Sequence, residues 1–329
     1  MKRILSFALA IIAALGMAGI ALLYRAQENK IVKYTLGMGI AGGFNAVGSE
    51  ASQSFTIASV ILDKDGKVVD CTIDCADAKI SVEGGKAQAG GTYLTKNELG
   101  ANYGMAQYSP IGKEWYEQAA HFAESVKGKD YDGVKAIAIG EDGKAQDADI
   151  LSGCTVASAS FKEAVVLAME DKGAVEFSAD GVPSLTFAAV ISDWGTASAE
   201  GEKDGKAALT TTVSAIAYLD GKVLSALLDV AAPEASFNAK GEITGSSYNG
   251  TKRAIGKDYG MAQYSPIGKE WYEQAEHFCQ SIVGLSADEV KTIGVGEDGK
   301  ATDTDITAGC TITVSDFVKT VSKAMDKAE

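Results

Sequence analysis

The chain contains one long unit written twice. Tyr103 to Ala119 reads YGMAQYSPIGKEWYEQA, and Tyr259 to Ala275 reads the same, 156 residues further on. The offset holds without a gap from Thr95/Thr251 to Met169/Met325. Upstream the match is weaker but ordered. Asp65-Gly66-Lys67 corresponds to Asp220-Gly221-Lys222, with one extra residue in the second copy before the register resumes. A period this long exceeds that of solenoid repeats, so a whole folding unit is duplicated. The division falls at about Asp171 to Ala174. Residues 28–172 form the first copy and 173–329 the second, after a leader over 1–27. A length of 329 residues agrees with two domains, each large enough to bury a core of its own.

Each copy predicts the same order of elements. Phe55 to Leu62 and Lys67 to Ile73 flank Asp65-Gly66, a hairpin signal. Thr211 to Leu219 and Lys222 to Val230 flank Asp220-Gly221 in the same way. Further extended segments follow, broken at Gly84-Gly85 and Gly90-Gly91. Ser109-Pro110 and Ser265-Pro266 suit an N-cap and first helical position. Ile111, Trp115, Ala119, Phe122, Ala123 and Val126 then share one helical face. His121 and His277 lie on the opposite face, one turn after Glu117 and Glu273. That placement fits a proton relay or a solvated helical pair, and the second is the commoner arrangement. Ser160 and Asp316 are expected N-caps of the final helices, with Glu163 completing a capping box in the first. Phe161, Val165, Ala168 and Met169, matched by Phe317, Val321, Ala324 and Met325, form the apolar stripe of that helix. Strands followed by helices predict an α+β fold: two tandem copies, each a mostly antiparallel sheet with packed helices.

The N-terminus predicts the compartment. Met1-Lys2-Arg3 precedes Ile4 to Tyr24, a stretch without a charged residue. A cationic start before an apolar run marks a secretory signal or a signal anchor. A cleaved signal has an apolar region of about 7–15 residues, whereas a membrane span needs about 20. Length favours a transmembrane anchor, while Gly16-Met17-Ala18 and Gly19-Ile20-Ala21 keep cleavage open. Lys2 and Arg3 mark the cytoplasmic side. The body is therefore expected outside the cell, held at the membrane, or secreted if the signal is cut. No cysteine lies in or just after the run, so lipoprotein processing is unsupported.

Charge and composition exclude several classes. Thirty basic residues against 44 acidic ones give a net charge of −14. That is the wrong sign for a nucleic-acid binder or a polybasic membrane-surface module. Two histidines and five cysteines are too few for a multi-metal or haem-rich protein, and no metal site is expected. A Ser-His-Asp hydrolase lacks a G-x-S-x-G nucleophile elbow. Cys71 and Cys75 would lie about 13 Å apart on one face of a strand, too far to pair without a bend. Five is also an odd count, so buried thiols are the better expectation.

The segment before each final helix carries the clearest chemical pattern. Asp149-Ile150-Leu151-Ser152-Gly153-Cys154-Thr155 corresponds to Asp305-Ile306-Thr307-Ala308-Gly309-Cys310-Thr311. Asp, Gly, Cys and Thr keep their places while their neighbours vary. The Gly permits an unusual backbone conformation, or a close approach by another protein or a phosphate. The Thr supplies a hydroxyl that can be esterified. The Asp would bind that hydroxyl, accept from turn amides, or meet a metal in a modifying enzyme. The same residues also suit a plain turn before a helix.

This segment resembles the acceptor motif of extracytoplasmic FMN-binding domains. That family includes the C subunit of the sodium-pumping NADH:quinone reductase, the G subunit of the Rnf complex and flavinylated surface proteins of Gram-positive bacteria. In the family an Asp lies six residues before the acceptor Thr, and a small residue, a Gly and usually an Ala intervene. Asp149, Ser152, Gly153 and Thr155 match position by position, as do Asp305, Ala308, Gly309 and Thr311. Cys154 and Cys310 depart from the usual Ala; Cys is similarly small and reads as a tolerated variant ahead of a thiol redox role. The tandem arrangement is most similar to surface flavoproteins of extracellular electron transfer. The likeness covers each copy from about Thr95 or Thr251 to its end and is weaker over the strand-rich halves.

The resemblance implies a flavoprotein carrying FMN as a phosphoester on Thr155 and Thr311, two covalent cofactors in all. A flavin transferase would attach them, taking FMN from FAD with Mg²⁺. Neither Thr would be a catalytic nucleophile of this chain, and no catalytic residue is expected. Amides near Gly153 and Gly309, or the start of the final helix, would offset the phosphate charge. Tyr103, Met105, Tyr108, Trp115 and Tyr116 are candidate ring neighbours, with Tyr259, Met261, Tyr264, Trp271 and Tyr272 in the second copy. The implied function is electron relay from a membrane NADH- or quinol-oxidising system to an extracellular acceptor or partner protein. The alternatives are an accessory FMN subunit of a membrane reductase or ion pump, and a surface repeat protein without redox chemistry. The duplication counts against the first alternative, because the pump subunits carry a single domain.

Overall fold

The computed structural model describes residues 31–198 and 203–328. The expected leader, with its anchor and cleavage sites, lies outside the described residues. Among the described residues no helix is long and apolar enough to cross a membrane.

The fold is α+β, built on two antiparallel sheets. The first contains β1 (Val32–Val47), β2 (Glu50–Asp63), β3 (Val68–Glu83), β4 (Lys86–Ala87) and β5 (Val175–Ala179), in the order β4-β3-β2-β1-β5. The second contains β6 (Ser184–Gly195), β7 (Gly205–Leu219), β8 (Lys222–Ala231), β9 (Glu234–Phe237) and β10 (Ile243–Ser247). Its order is β10-β9-β7-β6, with β8 also paired to β7. Both expected hairpins form. In the second, Asp220 (φ 50°) and Gly221 (φ 70°) take the left-handed conformations of a two-residue turn. In the first, the Asp63 carboxylate accepts from the amides of Asp65 and Lys67 and closes a longer loop. β5 lies just past the division between the copies, yet it pairs with β1 from Val32↔Ala179 to Leu36↔Val175.

Five helices follow β4: α1 (Lys96–Leu99), α2 (Trp115–Val126), α3 (Tyr131–Lys135), α4 (Ala148–Leu151) and α5 (Ala159–Met169). Their counterparts after β10 are α6 (Lys252–Ile255), α7 (Trp271–Ser281), α8 (Ala287–Lys291), α9 (Thr304–Thr307) and α10 (Ser315–Met325). Two expected helix starts move. α2 and α7 begin at Trp115 and Trp271, not at Ser109-Pro110 and Ser265-Pro266. Ser109 to Gly112 instead closes a turn, with Gly112 at φ 65°, and Glu114 takes the N-cap position. The Glu117 carboxylate accepts from the Glu114 amide at 2.8 Å, and Glu273 does the same for Glu270. α5 and α10 begin one residue before Ser160 and Asp316, so these two are not caps and the expected capping box is absent. Ser158, at the real N-cap position, uses its hydroxyl to accept from the Ala145 amide instead.

Three apolar cores result. One packs the outer face of the first sheet under α2 and α5, through Val60, Ile73, Trp115, Phe122 and Phe161. Another does the same in the second copy, through Ile216, Leu228, Trp271, Phe278 and Phe317. The third lies between the sheets and takes Leu36, Phe55, Ile57 and Ile80 from one and Phe187, Leu209, Val213 and Phe237 from the other. Alternation along β2 sends Ile57 to the shared core and Ala58 to the helix side. Each sheet is thus covered on both faces, with helices outermost. Polar contacts also join the copies: Arg253 pairs with Asp171 at 3.1 Å, the Leu185 amide donates to the Asp70 carboxylate at 3.0 Å, and Lys327 lies beside Asp74.

α5 lies unusually close on β1. A Cβ at Gly37 would fall 2.1 Å from the Ala168 carbonyl oxygen, and one at Gly39 would fall 2.3 Å from that of Ala164. The second copy meets its final helix differently, with the Thr186 hydroxyl donating to the Ala324 carbonyl at 2.7 Å. Gly37→Ala should therefore lower unfolding free energy by about 1–3 kcal/mol through overpacking. Gly43→Ala, on the same strand with nothing within 4 Å of its Cβ, should change it by less than about 0.5 kcal/mol. Urea denaturation of the two variants checks the contrast.

Candidate functional site

In each copy the Asp-to-Thr segment becomes a short helix and a turn before the last helix. In the first, α4 carries Asp149, and Ser152 to Thr155 form the turn leading to α5. The cap of α4 is Asp147, whose carboxylate accepts from the amides of Asp149 and Ile150 at 2.9 and 3.2 Å. Asp303 caps α9 in the same way. The carboxylates of Asp149 and Asp305 therefore do not accept from the turn, and neither binds the Thr hydroxyl. Both side chains are exposed. Asp149 is engaged through its backbone: its amide by Asp147, and its carbonyl by the Ser152 hydroxyl at 2.7 Å and by His121 Nε2 at 2.9 Å. A carbonyl only accepts, so Nε2 carries the proton in that contact.

Gly153 and Gly309 are small for a local reason. A Cβ on either would lie 2.3 Å from the ring carbon Cγ of His121 or His277. The close neighbour is the chain's own histidine, and the φ of neither glycine is positive. The two histidines are half-buried and brace the turn from α2 and α7; among the described residues neither bonds an acid side chain that would make a relay.

The Thr hydroxyls are held by a residue that sequence reasoning missed. Gln118, fully buried, accepts through Oε1 from the Thr155 amide at 2.8 Å and from Thr155 Oγ1 at 3.1 Å. Gln274 holds Thr311 at 2.9 and 3.1 Å. The amide nitrogen of Gln118 is fixed in turn, donating to the Lys113 carbonyl at 3.0 Å and Ser109 Oγ at 3.2 Å, with Met105 Sδ 3.7 Å away. Gln274 repeats this with Lys269, Ser265 and Met261 at 3.0, 3.2 and 3.7 Å. Glu114 and Glu270, also unforeseen, receive the amides of Met105 and Ala106, and of Met261 and Ala262. The repeated YGMAQYSPIGKEWYEQA stretch is thus a single bracket that delivers Gln to Thr. The available signal was a polar Gln on the same helical face as Trp115, Ala119 and Phe122.

This geometry limits the chemistry. Both Thr residues are half-buried, and each Oγ1 donates to a fully buried Gln. An amide oxygen orients the hydroxyl but does not take its proton, so neither Thr is an activated nucleophile. Esterification would remove one contact to Gln and leave the amide contact in place. The amides of Gly153 and Cys154 donate to Ile150 O, and those of Ser158 and Ala159 to Gly143 O. Those four amides are therefore already engaged within the fold, so any phosphate charge would be met by other donors at the start of the final helix or by side chains. Lys113 and Lys269, whose carbonyls anchor the Gln side chains, form no ion pair among the described residues. Lys269 lies near enough to act electrostatically on Cys310.

The aromatic candidates separate. Trp115 and Trp271 are buried in the helix-side cores, edge-on to Phe161 and Phe317. Met105 and Met261 are half-buried beside the Gln residues. Tyr108 and Tyr264 are 82% and 83% exposed, the first at the end of a short 3₁₀ turn and the second in a turn. Tyr103, Tyr116 and Tyr259 are also exposed, and Tyr272 is half-buried. Among the described residues no cluster of three or more His, Cys, Asp or Glu side chains is placed to hold a metal.

All five cysteines are free and buried, including Cys71 and Cys75 on β3. Burial pushes the thiols of Cys154 and Cys310 up to about 11. At pH 8 about one in a thousand of either would be thiolate, which leaves little thiol reactivity. No family model, curated protein or solved structure matches the chain. Iodoacetamide at pH 8 should label none of the five thiols in the native protein within minutes and all five in urea, as read by intact mass. Labelling of native Cys154 or Cys310 should begin only as pH climbs toward 11.

Proposed function

We propose that the chain is an extracytoplasmic electron carrier with FMN joined through its phosphate to Thr155 and Thr311. The observation that carries this reading is the pair of half-buried Thr residues, each with its hydroxyl oriented by a buried Gln and, among the described residues, bonded to no base. That arrangement suits a modification acceptor and does not suit a catalytic nucleophile. The free, exposed carboxylates of Asp149 and Asp305 favour recognition by a modifying enzyme, since the fold makes no use of them. The base that takes the hydroxyl proton, together with FAD and Mg²⁺, would come from a flavin transferase.

The residues present fit the group. Thr155 and Thr311 would hold its phosphate, with Lys113 and Lys269 offsetting the remaining negative charge. Met105 and Met261, with the exposed Tyr108 and Tyr264, would offer apolar surface to a ring. When bound, the flavin would supply one- and two-electron redox chemistry. The chain itself positions and insulates. A covalent bond suits a body outside the cell, where a dissociated cofactor is lost by dilution. The donor would be a membrane NADH- or quinol-oxidising system, and the acceptor an extracellular species or a partner protein.

The test is co-expression with a flavin transferase in a secreting host, followed by denaturing gel fluorescence and peptide mass analysis. Both Thr peptides should gain FMN less one water. Thr155→Ala and Thr311→Ala should each remove half of the flavin. Gln118→Ala should lower occupancy at Thr155 and leave Thr311 unchanged. Protein from the native host without covalent flavin would overturn the proposal in favour of a non-redox repeat protein.

A further inference from the structure

The duplicated sites are not electrostatically alike, and the difference lies at one position. In both copies a lysine sits over two rings beside the bracket that holds the Gln. Lys96 Nζ is 5.3 Å from the ring centroids of Tyr103 and Trp115. Lys252 Nζ is 5.2 and 5.3 Å from those of Tyr259 and Trp271. Trp115 and Trp271 open α2 and α7, and Gln118 and Gln274 follow three residues later, so each pair is about 5–6 Å apart at Cβ. Tyr103 and Tyr259 lead directly into Met105 and Met261, which touch the same Gln side chains.

The strand beneath supplies a counter-charge in one copy only. Asp74 and Asp229 are structural equivalents. Each accepts from the next amide at 2.7 Å and from the amide of Asn97 or Arg253, in the second position of α1 or α6, at 3.0 Å. Three residues beyond Asp74 stands Asp77, whose carboxylate pairs with Lys96 at 3.1 Å. Three residues beyond Asp229 stands Ala232. Lys252 has no carboxylate partner among the described residues. Ala232, Lys252 and Tyr259 line one cavity of about 110 Å³, in the place the carboxylate occupies in the first copy. Neighbouring positions partly offset one another: Glu98 and Ala101 in the first copy are Ala254 and Lys257 in the second, while Asn102 becomes Asp258 and Glu98 is itself paired with Lys323.

On the reading that both Thr residues carry FMN, we propose that the two sites differ in redox potential, with the second higher because Lys252 is uncompensated. Reduction adds negative charge to the ring system, and a nearby cation stabilises it. In the first copy Asp77 cancels most of that effect. The residue pair 77/232 therefore sets which site of the chain holds electrons at equilibrium, and electrons entering at the first site settle on the second.

Peptide mass analysis first establishes that both Thr residues are loaded. Spectroelectrochemical titration of Thr311→Ala then reads the first site alone, and Thr155→Ala the second. The second couple should lie above the first. In these backgrounds Asp77→Ala should raise the first couple and Ala232→Asp should lower the second. Each shift should be on the order of tenfold in the reduction equilibrium, about 30 mV for two electrons. Asp77→Asn, which keeps shape and removes charge, should match Asp77→Ala. Coincident couples, the reverse order, or charge changes that move neither couple would overturn the inference while leaving the flavin reading intact. Absence of flavin from both Thr residues would overturn both.

Discussion

The layer of apolar side chains between the two sheets is the constraint on which the rest depends. Phe55, Ile57, Leu209 and Phe237 are fully or almost fully buried there, and they come from both copies. Each sheet must then present apolar side chains on both faces, because helices cover the other side. The long buried runs in β2 and β8 follow from this double demand. Stacking two copies of one unit through the same face also relates them by an approximate twofold. The residues just after α5 and after α10 accordingly each reach the opposite copy: Asp171 meets Arg253, and Lys327 lies beside Asp74.

Placing the helices outermost decides where chemistry can occur. The turn that carries Thr155 is braced between α2 and α5, on the outside of the first sheet, and Thr311 takes the matching position on the second. A buried Gln, three further contacts to that Gln, and a histidine packed against a glycine fix each Thr with several independent restraints. Such restraint leaves the hydroxyl oriented, on a half-buried residue and, among the described residues, without a base. On the proposed reading, that combination suits an acceptor that another enzyme modifies.

Much of the architecture was legible in the sequence. The duplication, the two Asp-Gly hairpins and the apolar faces of α2, α5 and α10 were read from spacing, because periodic burial leaves a periodic trace. Helix starts were read less well. Ser109-Pro110 has the chemistry of a helix start, yet a turn closed at Gly112 intervenes and Glu114 begins the helix. Ser160 likewise looks like a cap but lies inside the first turn. In both cases a tertiary contact outcompeted a local preference: Glu114 receives the Met105 and Ala106 amides, and Ser158 receives that of Ala145. The Asp, Gly and Thr of the motif were legible as a set, while their individual roles were not. Gly153 serves His121, Asp147 takes the capping work expected of Asp149, and Gln118 does the holding.

The sequence by itself determined that one unit occurs twice, that its strands precede its helices, and that a Thr follows a fixed Asp and Gly in each copy. These are local or periodic properties, written in neighbouring residues. Only the tertiary structure decided that the copies share a core, that β5 crosses to the first sheet, and which side chains surround each Thr. Gln118 lies 37 positions from Thr155, and Asp77 lies 19 positions from Lys96. No spacing rule links such residues, because they meet through the packing of separate elements. The absence of a carboxylate beside Lys252 belongs to the same class: it is one alanine in the sequence and an unbalanced charge in the fold.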